Sequence, residues 1–277
     1  MSDSAAQRRL IVNADDFGRS ESINQAVVRA HNEGILTTAS LMVNETAAAQ
    51  AVDFARQNPR LGVGLHLALV CGRAALPPEK IPSLANQDGQ FSENAVGTGM
   101  SYFFSSRCRA QLRDEIGAQI ERFHATGLPL DHVNGHLNVH LHPVILGILT
   151  ENSNRWKIRA ARLTSDRFFL NARIAAGRWV YRTIHALIFR ILSAWAKPKF
   201  AKANIRHTHA VFGLLQNARV DSDYMKKLLP RLPPGDSELY SHPSLNHFKN
   251  EFDALINPAI RNLIEQNNIQ LIRYQDL

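Results

Sequence analysis

The run Leu10-Ile11-Val12-Asn13-Ala14-Asp15-Asp16-Phe17-Gly18 constrains this chain more than any other stretch. Residues suited to a buried strand lead straight into two adjacent carboxylates and then a glycine. Neighbouring carboxylates at a strand end repel each other unless a cation or a proton relieves the charge. A helix cap is the plainer alternative: Asp16, or Ser20 just after it, would serve a helix starting near Glu21. A cap accounts for one acid and leaves the other without a role, so the pair points to metal binding or catalysis.

Matching donors lie further along. Gly62-Val63-Gly64-Leu65-His66-Leu67 reads as a second buried strand, this one carrying a histidine. Residues 132–142 hold four of the chain's 12 histidines: His132, His136, His140 and His142. One carboxylate with two or three imidazoles, donated from separate strands, suits zinc or a similar divalent ion. A lone His66 would read as a hydrogen-bonded core residue, and the cluster argues against that. His136 and His140 would share a face on a helical turn. On a strand, positions 132, 134, 136, 138 and 140 would share one instead, so spacing leaves the binding pair open.

At 277 residues the chain can bury a sizeable core as one domain over 1–277. Its two cysteines, Cys71 and Cys108, lie far apart without a partner motif, which fits a reducing compartment. Residues 1–9 lack the apolar core of a signal peptide. No window has the apolar length of a membrane span, so the expected location is cytoplasmic.

Strand-like runs at 10–13, 39–43, 61–67, 130–133, 158–163, 238–241 and 269–274 alternate with helical patterns at 22–33, 46–57, 110–126, 144–151 and 246–265. That alternation predicts an α/β fold with a mainly parallel sheet, open or closed into a barrel. Asp15, Asp16, His66 and His136 all fall at or just after strand ends, where a β/α barrel collects its active-site groups. Residues 76–99, with Pro77-Pro78 and Asp88-Gly89, read as a long surface loop.

One segment departs from the rest in charge. Residues 155–206 carry 13 Lys or Arg against the single acid Asp166, a net of +12 in a chain whose total is +8. This marks a basic, helical insertion at about 165–206. Within it, residues 177–196 are amphipathic: Val180, Ile184, Leu187, Ile188, Ile191 and Trp195 form one stripe. Arg178, Arg182, His185, Ser193 and Lys197 fall on the other side. Such a helix lies on an anionic membrane surface, or else covers the domain or an oligomer partner. The run carries no nucleic-acid-binding module, so no nucleic-acid partner is expected.

Four motifs in order resemble the YdjC-like carbohydrate deacetylases: Asn13-Ala14-Asp15-Asp16-Phe17-Gly18, Gly64-Leu65-His66-Leu67, the histidine-rich 132–140, and Glu238-Leu239-Tyr240-Ser241-His242-Pro243. Residues 73–91, 102–105 and 128–134 are similar to the branch associated with hopanoid biosynthesis. The resemblance implies a distorted TIM-like β/α barrel that removes acetyl groups from N-acetylated sugars with one divalent metal ion. It implies Asp16, His66 and His136 as metal ligands, Asp15 as general base and His242 as the acid assisting the leaving amine. His140, Asn134 and Glu238 are then candidates for supporting the site or binding substrate. Two imidazoles and a carboxylate favour zinc over magnesium. The implied substrate is an N-acetylated glycolipid or oligosaccharide, and a hopanoid lipid would bring the enzyme to the inner face of the membrane through 177–197. The sequence is silent on oligomeric state. It departs from many relatives in having Asn134 for an aspartate, Asn138 for a histidine, and Ser244-Leu245 for Gly-Tyr.

Overall fold

The computed structural model describes residues 7–277, so the expectation for residues 1–9 lies, through residue 6, outside the described residues. The strands are β1 (Arg8–Phe17), β2 (Thr38–Leu41), β3 (Gly62–Leu67), β4 (Val133–Gly135), β5 (Ala210–Phe212), β6 (Gly235–Ser241) and β7 (Ile269–Leu271). All pair in parallel in the order β4-β3-β2-β1-β6-β5, with β7 alongside the start of β1. β1 is buried from Leu10 through Phe17 without alternation, as a strand covered on both faces must be.

The sheet curls, and residues 159–165 bridge its two edges. The Val133 N–H donates to the Ala160 carbonyl at 3.0 Å, the Arg206 N–H to Arg159 at 2.9 Å, and the Val211 N–H to Ser165 at 3.1 Å. The strand expected at 158–163 is therefore present as isolated bridges rather than a continuous ladder. The result is the expected α/β architecture, a distorted β/α barrel whose strands end on one rim.

The helices are α1 (Glu21–Glu33), α2 (Ala48–Gln57), α3 (Ala95–Phe104), α4 (Ser106–Ala125), α5 (Pro143–Glu151), α6 (Phe168–Ile174), α7 (Trp179–Lys202), α8 (Ser222–Leu228), α9 (Lys249–Leu255) and α10 (Pro258–Gln266). The Ser20 hydroxyl caps α1, accepting from the Ile23 N–H at 3.3 Å, which leaves both Asp15 and Asp16 free of that task. The single helix expected over 246–265 is two. Pro258 opens α10 and Asn257 caps it, accepting from the Ala259 N–H at 2.9 Å.

The basic segment folds as α6 and α7. Arg182 and Ser193, on the side of α7 opposite the apolar stripe, are both buried. The Arg182 Nη1 donates to the Ala175 carbonyl at 2.7 Å and its guanidinium lies over the Trp179 ring, while Ser193 donates to the Thr164 carbonyl at 2.9 Å. Of the two arrangements open to the apolar stripe from Val180 to Trp195, the structure has the one in which it faces outward rather than covering the domain. Among the described residues no helix is long and apolar enough to cross a membrane.

Candidate active site and metal centre

A strand sends successive side chains to opposite faces, so Asp15 and Asp16 should diverge. They converge because β1 carries a bulge there. Its register to β2 shifts between Ala14 and Phe17, and Asp16 takes a left-handed backbone with φ 66°. Gly18 follows at φ 93°, where an L side chain would be strained. The turn aims both carboxylates at the barrel mouth, and both are buried.

Asp16 meets two imidazoles. One of its oxygens, Oδ1, lies 2.9 Å from His136 Nδ1 and 3.3 Å from His66 Nε2. Burial acts to raise the Asp16 pKa, but the hydrogen bonds and charge of His136 and His66 outweigh it and hold the carboxyl well below the usual range. The candidate ligand atoms of Asp16, His66 and His136 all lie within 4.8 Å of one another. His66 comes from β3. His136 follows β4 directly, at the head of a tight turn in which Leu137 and Asn138 adopt φ 53° and 56°.

The chemistry of these donors fits a divalent cation. His66 Nδ1 lies 2.7 Å from Asn134 Oδ1, an atom that can only accept, so Nδ1 carries the proton. The lone pair of Nε2 is then turned toward the Asp16 carboxylate, where a cation would sit between them. The amide nitrogen of Asn134 donates to Asp15 Oδ1 at 3.0 Å and to Ser40 Oγ at 2.8 Å, which fixes the orientation of the carboxamide.

Asp15 belongs to a different network. Arg162 donates from Nη1 to Oδ2 at 2.7 Å and from Nη2 to Oδ1 at 2.9 Å, and Asn13 donates to Oδ1 at 2.8 Å. Burial alone would raise the Asp15 pKa, but Arg162 and His66 carry it far below the ordinary carboxylate value. Arg162 is itself fully buried and shares its fork with Glu238, donating to Oε1 from Nη2 at 2.7 Å and from Nε at 3.0 Å. Its guanidinium lies 4.0 Å from the Tyr240 ring centre, and the Tyr274 hydroxyl donates to the far side of Glu238. Sequence pattern alone does not single out Arg162, which reads as one charge of the basic segment. The available signal was an arginine inside an otherwise strand-like run.

The remaining candidates separate clearly. His242 follows β6 and shares a cavity of about 260 Å³ with Asp15, His66 and His136. Its backbone N–H donates to Glu251 Oε2 at 2.6 Å, and its Nδ1 lies 3.9 Å from that oxygen. Glu238 is fully buried against Arg162 and does not line the cavity. His140 lies apart from the three-residue cluster. Its Nε2–H donates to the Arg162 carbonyl at 2.9 Å, and burial lowers its pKa to about 3, keeping the ring neutral. Tyr181, His185 and Phe189 of α7 complete the cavity wall, so the basic segment reaches this cavity.

The YdjC-like protein family model matches residues 9–266. A carbohydrate deacetylase of Brevibacillus brevis is 40% identical over 150 residues, 54% of this chain and 57% of that protein. One from Geobacillus stearothermophilus is 38% identical over 154 residues, 54% of this chain and 58% of its own length, so the chain spans little more than half of these two relatives. A carbohydrate deacetylase of Clostridium beijerinckii matches across 97% of this chain and 100% of its own, at 28% identity. In fold, the chain is similar to a proposed cellobiose-phosphate cleavage protein of Enterococcus faecalis, with a TM-score of 0.76 over 98% of this chain and 99% of that one, at 21% identity.

Proposed function

The chain belongs to the YdjC-like family, and on that premise we propose that it is a metal-dependent N-deacetylase acting on an N-acetylglucosamine headgroup. The observation that carries this reading is the division of labour between the two adjacent carboxylates: Asp16 turns Oδ1 to two imidazoles, its Oδ2 accepting from the exposed Arg19 at 3.0 Å, whereas Asp15 is held on both oxygens by the buried Arg162. Asp16, His66 and His136 would hold one divalent ion, zinc being favoured by two nitrogen donors and one oxygen. When bound, that ion supplies Lewis acidity for the acetyl carbonyl and for water.

Asp15 is the general base in this reading. Forked by Arg162, it stays ionised at any working pH and cannot rotate away from the cavity. That security costs driving force, because a weaker base accepts a proton less readily. His242, across the same cavity, donates a proton to the departing amine, without which nitrogen is a poor leaving group. Arg162 and Glu238 position the base, and Asn134 positions both His66 and Asp15.

The motifs shared with the hopanoid-associated branch support a hopanoid substrate, N-acetylglucosaminyl bacteriohopanetetrol, reached at the membrane surface through 177–197. A soluble chito-oligosaccharide is the second reading, favoured by curated relatives described as carbohydrate deacetylases. A third, a non-catalytic sugar- or lipid-binding protein on this scaffold, is disfavoured by the complete set Asp15, Asp16, His66, His136 and His242. Acetate release from that lipid and from diacetylchitobiose, with and without chelator, tests all three. Chelator-sensitive release from the lipid is the expected result. Release from the disaccharide alone selects the second reading, and no release from either, with metal bound, points to another acylated substrate or to the third.

A further inference from the structure

The outer faces of α3 and α7 are apolar. Val96, Met100, Phe103 and Phe104 of α3 are 48–80% exposed. On α7, Val180, Ile184, Leu187, Ile188, Ile191 and Trp195 are 41–75% exposed. Six large apolar groups on one helix stripe exceed the scatter of single exposed residues that a folded surface normally tolerates.

The two helices flank one cleft. Gly99 and Tyr102 of α3 face Phe189 and Leu192 of α7 across an apolar cavity of about 170 Å³ floored by Val139 and His142. That cavity shares Ala95, Leu137, Asn138 and Phe189 with the one holding Asp15, His66, His136 and His242, so the two adjoin. The apolar cavity thus lies between the exposed helix faces and the polar cavity that holds the reacting groups.

Charge identifies what meets this surface. At 100° per residue, Arg190 and Lys197 border one side of the α7 stripe and Lys199 the other, and the first two are exposed. The segment 155–206 is +12 in a chain that is −4 elsewhere. An apolar stripe between basic flanks matches an anionic lipid surface, where the apolar groups enter the acyl boundary and the cations meet headgroups.

We propose that the outer faces of α3 and α7 dock on an anionic bilayer, and that the cleft between them admits the apolar part of an amphiphilic substrate directly from it. The docking surface stands on its own geometry. The role of the cleft rests on the deacetylase reading.

The test is flotation of the full chain with vesicles of phosphatidylcholine mixed with phosphatidylglycerol, and with phosphatidylcholine alone, at low and high salt. Expected is flotation with the mixed vesicles at low salt and little with the neutral ones. Arg190→Glu/Lys197→Glu should lower partitioning at least about tenfold, and Ile184→Glu/Ile191→Glu should abolish it. Both double variants should keep the wild-type far-UV spectrum and zinc stoichiometry. Failure of the wild type to float overturns the docking surface, whatever its activity on sugars. A wild-type dimer that Ile184→Glu/Ile191→Glu converts to a monomer, without flotation, overturns it in favour of a second copy of the chain. Flotation with no acetate release from any sugar leaves docking intact and removes the deacetylase reading.

Discussion

Arg162 grips Asp15 with two hydrogen bonds of 2.7 and 2.9 Å while the same guanidinium holds Glu238, so one buried cation is shared by two buried acids. Removing it would strand both charges. Arg162→Met is expected to destabilise the fold by about 3–5 kcal/mol, the scale for breaking a buried pair from one side. Urea unfolding measures this, and a loss below about 1 kcal/mol would mean that the pair is solvated in the working protein.

Asp15→Asn leaves Asp16, His66 and His136 in place. The variant should bind zinc with wild-type stoichiometry and lose about 10²-fold or more in kcat, the scale of a general base. Full activity would remove Asp15 from that role.

Asn134 holds His66 by its Nδ1–H at 2.7 Å. Asn134→Ala frees the ring to turn, and supporting partners of this kind are worth about 10–100-fold in metal affinity. Competition against a chromogenic chelator should show zinc binding weakened within that range. Unchanged affinity would mean that the walls around His66 already fix its ring.

His242 should matter in proportion to how poor the leaving group is. His242→Ala is expected to slow N-acetyl hydrolysis by about 10²-fold and to spare an activated aryl acetate, which departs without a proton. Equal losses on both substrates would point to a binding role.

Asp166 gives the stability a pH dependence of unusual sign for an acid. Burial raises its pKa to about 7, against hydrogen bonds from the Leu215 and Arg167 backbone, the charge of Arg182 and the Asn171 amide. Unfolded, the same carboxyl titrates near 3.8. Between these values the folded chain binds a proton that the unfolded chain has released, so this contribution to stability falls as pH rises and levels off above about 7. At roughly 1.4 kcal/mol per pKa unit, the effect is on the order of 4 kcal/mol. Urea midpoints at pH 5 and pH 8 should therefore diverge more in the wild type than in Asp166→Asn. Equal divergence would show that Asp166 is ionised throughout.

Much of the site was legible because its residue types are costly anywhere else. Two acids after a buried run, a histidine within Gly62–Leu67 and a second one after β4 have few other uses, and the chain order that resembles the YdjC-like deacetylases added His242. The bulge at Asp16 was not legible, since nothing in the letters marks a non-glycine residue at φ 66°. Nor was the separation of His136 from His140, which depends on two left-handed residues between them. β5 escaped because Ala210–Phe212 is too short to show a period. The stripe on α7 was legible but its direction stayed open between an outward face and one covering the domain, because periodicity identifies a face without saying what covers it.

Strand β1 lies at the centre of the sheet, yet one of its edges is completed only by β6, Arg9 pairing with Asp236 across 227 positions of sequence. During synthesis that edge emerges well over 200 residues before its partner β6 is made. Contacts of such long range fold slowly, and an open strand edge invites pairing with the wrong chain. The residues that prepare Asp15 and Asp16 for chemistry therefore also make the nascent chain dependent on protection from aggregation, and its yield should follow chaperone supply and growth temperature more closely than the stability of the finished protein.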